Sequence, residues 1–177
     1  MSEKLKEKFQ SLPDFYHPPF IPGEESTKRA AVIAEARTWL STPFHPNACV
    51  KGHGVDCGRF LIAVYSSVGL MPEYEPGYWS PQFHLHSGEP SYMAEMLKFA
   101  HEIQVPPEPA DIVMIHLGRQ YAHSGIVIEW PNQVIHAPAA DMQGVVQISD
   151  ASKDALFLHG GMRFPPKFFS PFNRETQ

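Results

Sequence analysis

Apolar positions along the first half of the chain recur at helical spacing. In "STKRAAVIAEARTWL" (26–40), Val32, Ala36, Trp39 and Leu40 share a face, Ser26 or Thr27 can cap the start, and Thr42-Pro43 supplies the stop. In "CGRFLIAVYSSV" (57–68), Cys57, Phe60, Leu61, Val64 and Val68 make the same stripe, with Asp56 as N-cap and Gly69 then Pro72 as terminators. "SYMAEMLKFAHEI" (91–103) reads as a third helix. Beyond Pro109 the pattern changes to short runs bounded by turn residues, which predict strands: "DIVMIHL", "AHSGIVIEW", "QVIHAP", "GVVQIS" and "ALFLHGGMRF". Helices first and antiparallel strands afterwards predict an α+β domain, with the N-terminal helices packed against one sheet.

Prolines set the limits of that domain. Pro13, Pro18, Pro19 and Pro22 mark residues 1–27 as an extended arm, 28–165 as the folded domain, and 166–177 as a peripheral C-terminal tail. Residues 72–90 read as a long ordered loop rich in Pro, Gly and aromatics. With 177 residues, 43% hydrophobic, 19% charged and a net charge of -5, the composition is that of one globular domain. Nothing in this balance recruits nucleic acid or an anionic membrane surface. The first residues never make the uninterrupted apolar run of a signal peptide or membrane span, so synthesis in the cytoplasm is expected. In that reducing compartment a Cys49–Cys57 disulfide is not expected.

Cys57 carries the most specific chemistry. A thiol attacks only as thiolate, and a helix N-terminus favours the thiolate through its unpaired N–H groups and dipole. The same residue lies on the apolar stripe of its helix, where a buried, inert cysteine fits as well. Arg59, two residues on, falls about 200° round the axis and reads as surface or as part of a separate salt bridge.

A nucleophile of this kind needs a base, and the base needs a group that holds its ring. If a four-residue loop, 129–132, joins the strands of "AHSGIVIEW" and "QVIHAP", Ile128 faces Gln133 and Gly125 faces His136. His123 and His136 are then diagonal neighbours on one face, roughly 7–8 Å apart, with Gly125 leaving room between them. A slip of one residue separates them. Taken singly, each histidine also fits a structural role. His84 and His86 in "FHLH" have metal-ligand spacing but no Cys or carboxylate partner nearby, so neither a metal nor a cofactor is expected. His116 and Glu129 read as exposed strand positions. Tyr78 and Trp79 read as loop aromatics that cap the core or wall a substrate.

"GVDCGRFLIAVYSSVGL", "PADIVMIHLGRQYAHSGIVIEW" and "QVIHAP" resemble the three catalytic segments of the NlpC family of papain-like cysteine peptidases, which cleave bacterial cell-wall peptides. "RAAVIAEARTWLSTPFHPNACVKGHGVDC" resembles the opening helix and loop of its phage-encoded branch, and the likeness runs from about Arg29 to Pro165. It implies a papain-like fold on a five- to six-stranded antiparallel sheet. Cys57 would be the nucleophile, His123 the general base and His136 the residue that orients His123. Phe44, His45, Asp56, Gly58, Tyr78, Trp79 and Ser124 would shape the substrate site, with the Cys57 N–H, helped by His45, meeting the oxyanion. The substrate implied is the stem peptide of peptidoglycan, cut between γ-D-glutamate and the diamino acid, by an enzyme carried with phage tail proteins to the wall.

The chain also departs from that pattern. Gly58 and Arg59 follow the cysteine where many relatives have Ser-Gly, Ala110 precedes Asp111 where glycine is frequent, and Phe44-His45 stands where a tyrosine is common. Two rival readings share the residues: a catalytically silent tail structural or assembly protein on the same fold, and a papain-like amidase or acyltransferase for another substrate.

Overall fold

A computed structural model describes residues 23–80, 91–104, 106–139, 144–161 and 164–172. The expected arm up to residue 22, His84 and His86, and the end of the expected tail from 173 lie outside these.

Helix α1 spans Glu25–Arg37 and is preceded by Glu24, not by the expected Ser26 or Thr27 cap. An acidic side chain in the first turn suits the helix dipole, and the Glu25–Arg29 ion pair (2.8 Å) draws the helix back to residue 25. The chain leaves the helix before Trp39, which is still buried, and Leu40, which is exposed. A two-stranded hairpin, β1 (Cys49–Val50) and β2 (Gly54–Val55), leads into α2 (Cys57–Ser67). Asp56 caps α2 as expected, its Oδ1 accepting the Arg59 N–H at 2.8 Å. Gly69, at φ +72°, turns the chain away.

The expected third helix is cut short. Helix α3 covers Ser91–Met96 only, and His101–Ile103 form strand β3. They pair with β8 (Lys167–Ser170), so a ladder with a distant segment overrides the local helical period. Strands β4 (Ile112–Leu117), β5 (Gln120–Glu129), β6 (Gln133–His136) and β7 (Gln147–Ser149) follow as expected. "ALFLHGG" is not a strand but helix α4 (Ala155–Gly161), begun by Asp154, whose Oδ1 accepts the Leu156 N–H at 2.9 Å.

Six strands make one antiparallel sheet in the order β3-β8-β4-β5-β6-β7. Lys167–Ser170, expected within a tail, therefore form an interior strand, with Phe169 fully buried. Alternation along the strands divides the core. Ile112, Met114, Ile126, Ile135 and Phe169 pack against residues of α1, α2 and α3, among them Val32, Phe60, Leu61 and Met96. Val113, Ile115, Val127 and Val134 face Leu156 and Phe157 of α4 on the other side.

Candidate active site

The β5–β6 register puts Gly125 opposite His136, as expected, but Glu129 rather than Ile128 opposite Gln133. A bulge between Val127 and Glu129 absorbs the extra residue near the turn and leaves the histidine end in phase. Glycine at 125 is required by space. A Cβ there would sit 2.6 Å from Val134 Cγ1, 3.0 Å from His136 Cβ and 3.1 Å from the Ile135 carbonyl oxygen.

His123 Nε2 and His136 Nδ1 are 2.9 Å apart. On its other side His136 Nε2 is 2.9 Å from Ser149 Oγ, to which Gln147 Nε2 donates at 3.0 Å. Phe157 of α4 packs edge-on against the His136 ring. Both histidines are buried. Burial holds His136 down to about 4, and burial together with the His136 ring holds His123 well below the usual histidine value, with Asp154 opposing. Burial thus favours the neutral form of both rings.

Strand β6 ends at His136, opposite Gly125. Beyond that point on β5 the Ser124 backbone N–H reaches the Cys57 sulfur, as does the Gly58 N–H. The Tyr92 hydroxyl donates to the same sulfur at 3.8 Å. Burial first and the Asp56 carboxylate second push the Cys57 thiol up to about 12, while those three donors pull it down. A charge on either Cys57 or His123 alone is thus disfavoured.

A polar network builds the wall beside Cys57. Arg59 is 4% exposed, not a surface residue, and its guanidinium bonds Asp56 (2.9 Å), the Gly77 carbonyl (2.7 Å), Asn47 Oδ1 (3.3 Å) and Glu75. Asn47, at φ +59°, donates its backbone N–H to Asp56 (2.8 Å), and its side-chain amide pairs with both the N–H and the C=O of Trp79 at 3.0 Å. Trp79 lies across Gly58, where a Cβ would meet its Cζ2 at 2.9 Å. That contact accounts for glycine directly after the cysteine.

Asp56, Gly58, Trp79 and Ser124 therefore surround Cys57. Ser124 is buried and its hydroxyl is engaged with that of Tyr92, so its side chain is part of the support under the sulfur rather than an open substrate surface. Phe44 packs against the core beside Val55. His45 is exposed, its ring nitrogen 3.1 Å from the Pro46 carbonyl, and Tyr78 is 82% exposed. His116 is partly buried and stacked on Phe164, not simply exposed. Cys49 and Cys57 are both free thiols. Tyr92, Asn47 and Ser149 with Gln147 were not foreseen. Ser149 and Gln147 carried a signal, because across β6–β7 Gln147 is opposite His136 and Ser149 is diagonal to it, just as His123 is across β5–β6.

Among the described residues no group of three His, Cys, Asp or Glu is placed to hold a metal, and no helix is long and apolar enough to cross a membrane. No family model and no curated protein matches the chain by sequence. Solved structures match it by shape. The NlpC/p60 domain of the peptidoglycan hydrolase SagA aligns with a TM-score of 0.52 at 21% identity, over 80% of this chain and 96% of that one. The fold is that of NlpC/P60 domains. The peptidoglycan hydrolase RipB from Mycobacterium tuberculosis aligns at 0.57 and 13% identity, over 90% of this chain and 74% of that one. An NLP/P60 family protein from Staphylococcus aureus, described as similar to lipoprotein, aligns at 0.55 and 15%, over 92% of this chain and 47% of that one. The NlpC/P60 fold thus takes in most of the chain, helices and sheet together.

Proposed function

We propose that this chain is a cysteine endopeptidase that hydrolyses peptidoglycan stem peptides, at the γ-D-glutamyl-diamino acid bond, through a thioester acyl-enzyme. The observation that carries the proposal is the bond between His123 Nε2 and His136 Nδ1. It leaves Nδ1 of His123 to take a proton, on the residue next to the one whose backbone N–H holds the Cys57 sulfur.

In this reading His123 Nε2–H donates to His136, and His136 Nε2–H donates to Ser149 Oγ, which also accepts from Gln147. His123 Nδ1 removes the thiol proton as Cys57 attacks the scissile carbonyl. The first-turn N–H of Cys57 meets the oxyanion, where the helix dipole adds to it. His123 then protonates the leaving amine, and water, deprotonated by the same imidazole, releases the acid from the thioester. Asp56, Gly58 and Trp79 form the wall beside the sulfur.

Peptidoglycan as substrate is supported by the likeness to the folds of SagA and RipB together with the Cys, His, His order of the three segments. Carriage with a phage tail rests on the resemblance of residues 29–57 to the phage-encoded branch alone. The silent scaffold has one observation in its favour, the burial that pushes the thiol up.

Incubation of the protein and its Cys57→Ala variant with peptidoglycan peptides, read by mass spectrometry, tests the proposal. Products from the parent and none from the variant are expected, and their masses name the bond. No cleavage with a Cys57 that still alkylates readily would move the chemistry to another amide. An inert thiol would favour the scaffold.

A further inference from the structure

Tyr92 enters the site from α3, an element that carries neither Cys57 nor the histidines. Its ring is 3% exposed and lies edge-on to Trp79, with centroids 5.3 Å apart. Its Cε2 lies 3.1 Å from the place a Cβ on Gly58 would occupy, so the bare backbone after the nucleophile admits two aromatic rings at once. These contacts hold the ring, and the ring holds the hydroxyl 3.8 Å from Cys57 Sγ and 2.5 Å from Ser124 Oγ.

Sulfur, phenol and serine hydroxyl thus stand in series, and both hydroxyls rotate freely about their C–O bonds. While the sulfur is a thiol it is a weak acceptor for Tyr92, whose proton is shared between Cys57 Sγ and Ser124 Oγ. Once the sulfur is a thiolate it only accepts. The Tyr92 proton then turns to sulfur and the Ser124 proton turns to Tyr92 Oη. Neither heavy atom moves. Burial keeps the phenol protonated throughout, so it remains a donor.

We infer that Tyr92 is a further catalytic residue, which with Ser124 behind it forms a reversible relay of hydrogen bonds that stabilises the Cys57 thiolate. This rests on Cys57 being the nucleophile. It is independent of which amide is cut. A hydrogen bond from a buried hydroxyl to a charged acceptor is among the strong ones, and this one strengthens as the charge forms, so it favours the attacking state over the resting one.

The test is the rate of iodoacetamide alkylation of Cys57 against pH, in a Cys49→Ser background so that one thiol reports. Tyr92→Phe keeps the ring on Trp79 and Gly58 and removes the proton. Its alkylation midpoint is expected to move up in pH, with a rate at neutral pH roughly tenfold lower. Ser124→Ala, which removes the second donor and leaves the Tyr92 ring in place, is expected to move the midpoint the same way by less. Superimposable profiles for parent and Tyr92→Phe would overturn the inference, as would a Ser124→Ala midpoint that moves down. The readout uses no peptide, so failure to cleave peptidoglycan leaves the relay to stand or fall by itself.

Discussion

A histidine that serves as a base works only while it is neutral. Burial and the neighbouring His136 ring hold His123 well below the ordinary value near 6.5. Falling pH therefore protonates the base later than it would an exposed histidine, and the acid limb of kcat/KM is expected below pH 6.5. A pH–rate profile checks this, and a limb at or above 6.5 would show that His123 is not the base. The His123–His136 contact was legible in the sequence because it follows from register alone. Ser149 follows from the same rule applied one strand further. Tyr92 was not legible. Its approach to Cys57 depends on how α3 docks against α2 and β5, which no local period encodes.

Among the elements, α2 and its Asp56 cap could be read from spacing because stripe, cap and stop residues all agree. The signals conflicted at β3 and α4. "HEI" continues a helical stripe, yet finds a better place against Ser170, Phe169 and Phe168. "ALFLHGG" is apolar enough for a strand, but the Asp154 cap and the apolar floor of Val113, Ile115 and Val127 favour a helix. The β5–β6 hairpin is the element most sensitive to a single change. Gly125→Ala places a methyl 2.6 Å from Val134 Cγ1 and 3.1 Å from the Ile135 carbonyl oxygen. The strands must part to admit it, so we expect about 1–3 kcal/mol of destabilisation in denaturant unfolding and a steep loss of activity as the histidine bond lengthens.

For the molecule as a whole, the expectation of helices on an antiparallel sheet holds, while the C-terminal limit drawn at residue 165 does not. Pro165, Pro166 and Pro171 flank a strand instead of opening a tail. Phe169 pairs with Ile112 and Glu102 on its two sides and belongs to the main core. Phe169→Ala is expected to cost about 3–5 kcal/mol, read from the urea midpoint, whereas a residue of a peripheral tail would cost next to nothing.

The position of β8 also governs how the protein can be made. As the chain leaves the ribosome, β4, β5, β6 and β7 emerge in the order in which they pair, and each can zip onto the one before. Strand β3, synthesised ahead of them all, must wait beside a gap until Lys167–Ser170 arrives to fill it. A nascent chain halted before β8 would already carry the paired histidines, on a sheet whose β4 edge stands open to the next strand it meets and with β3 unpaired.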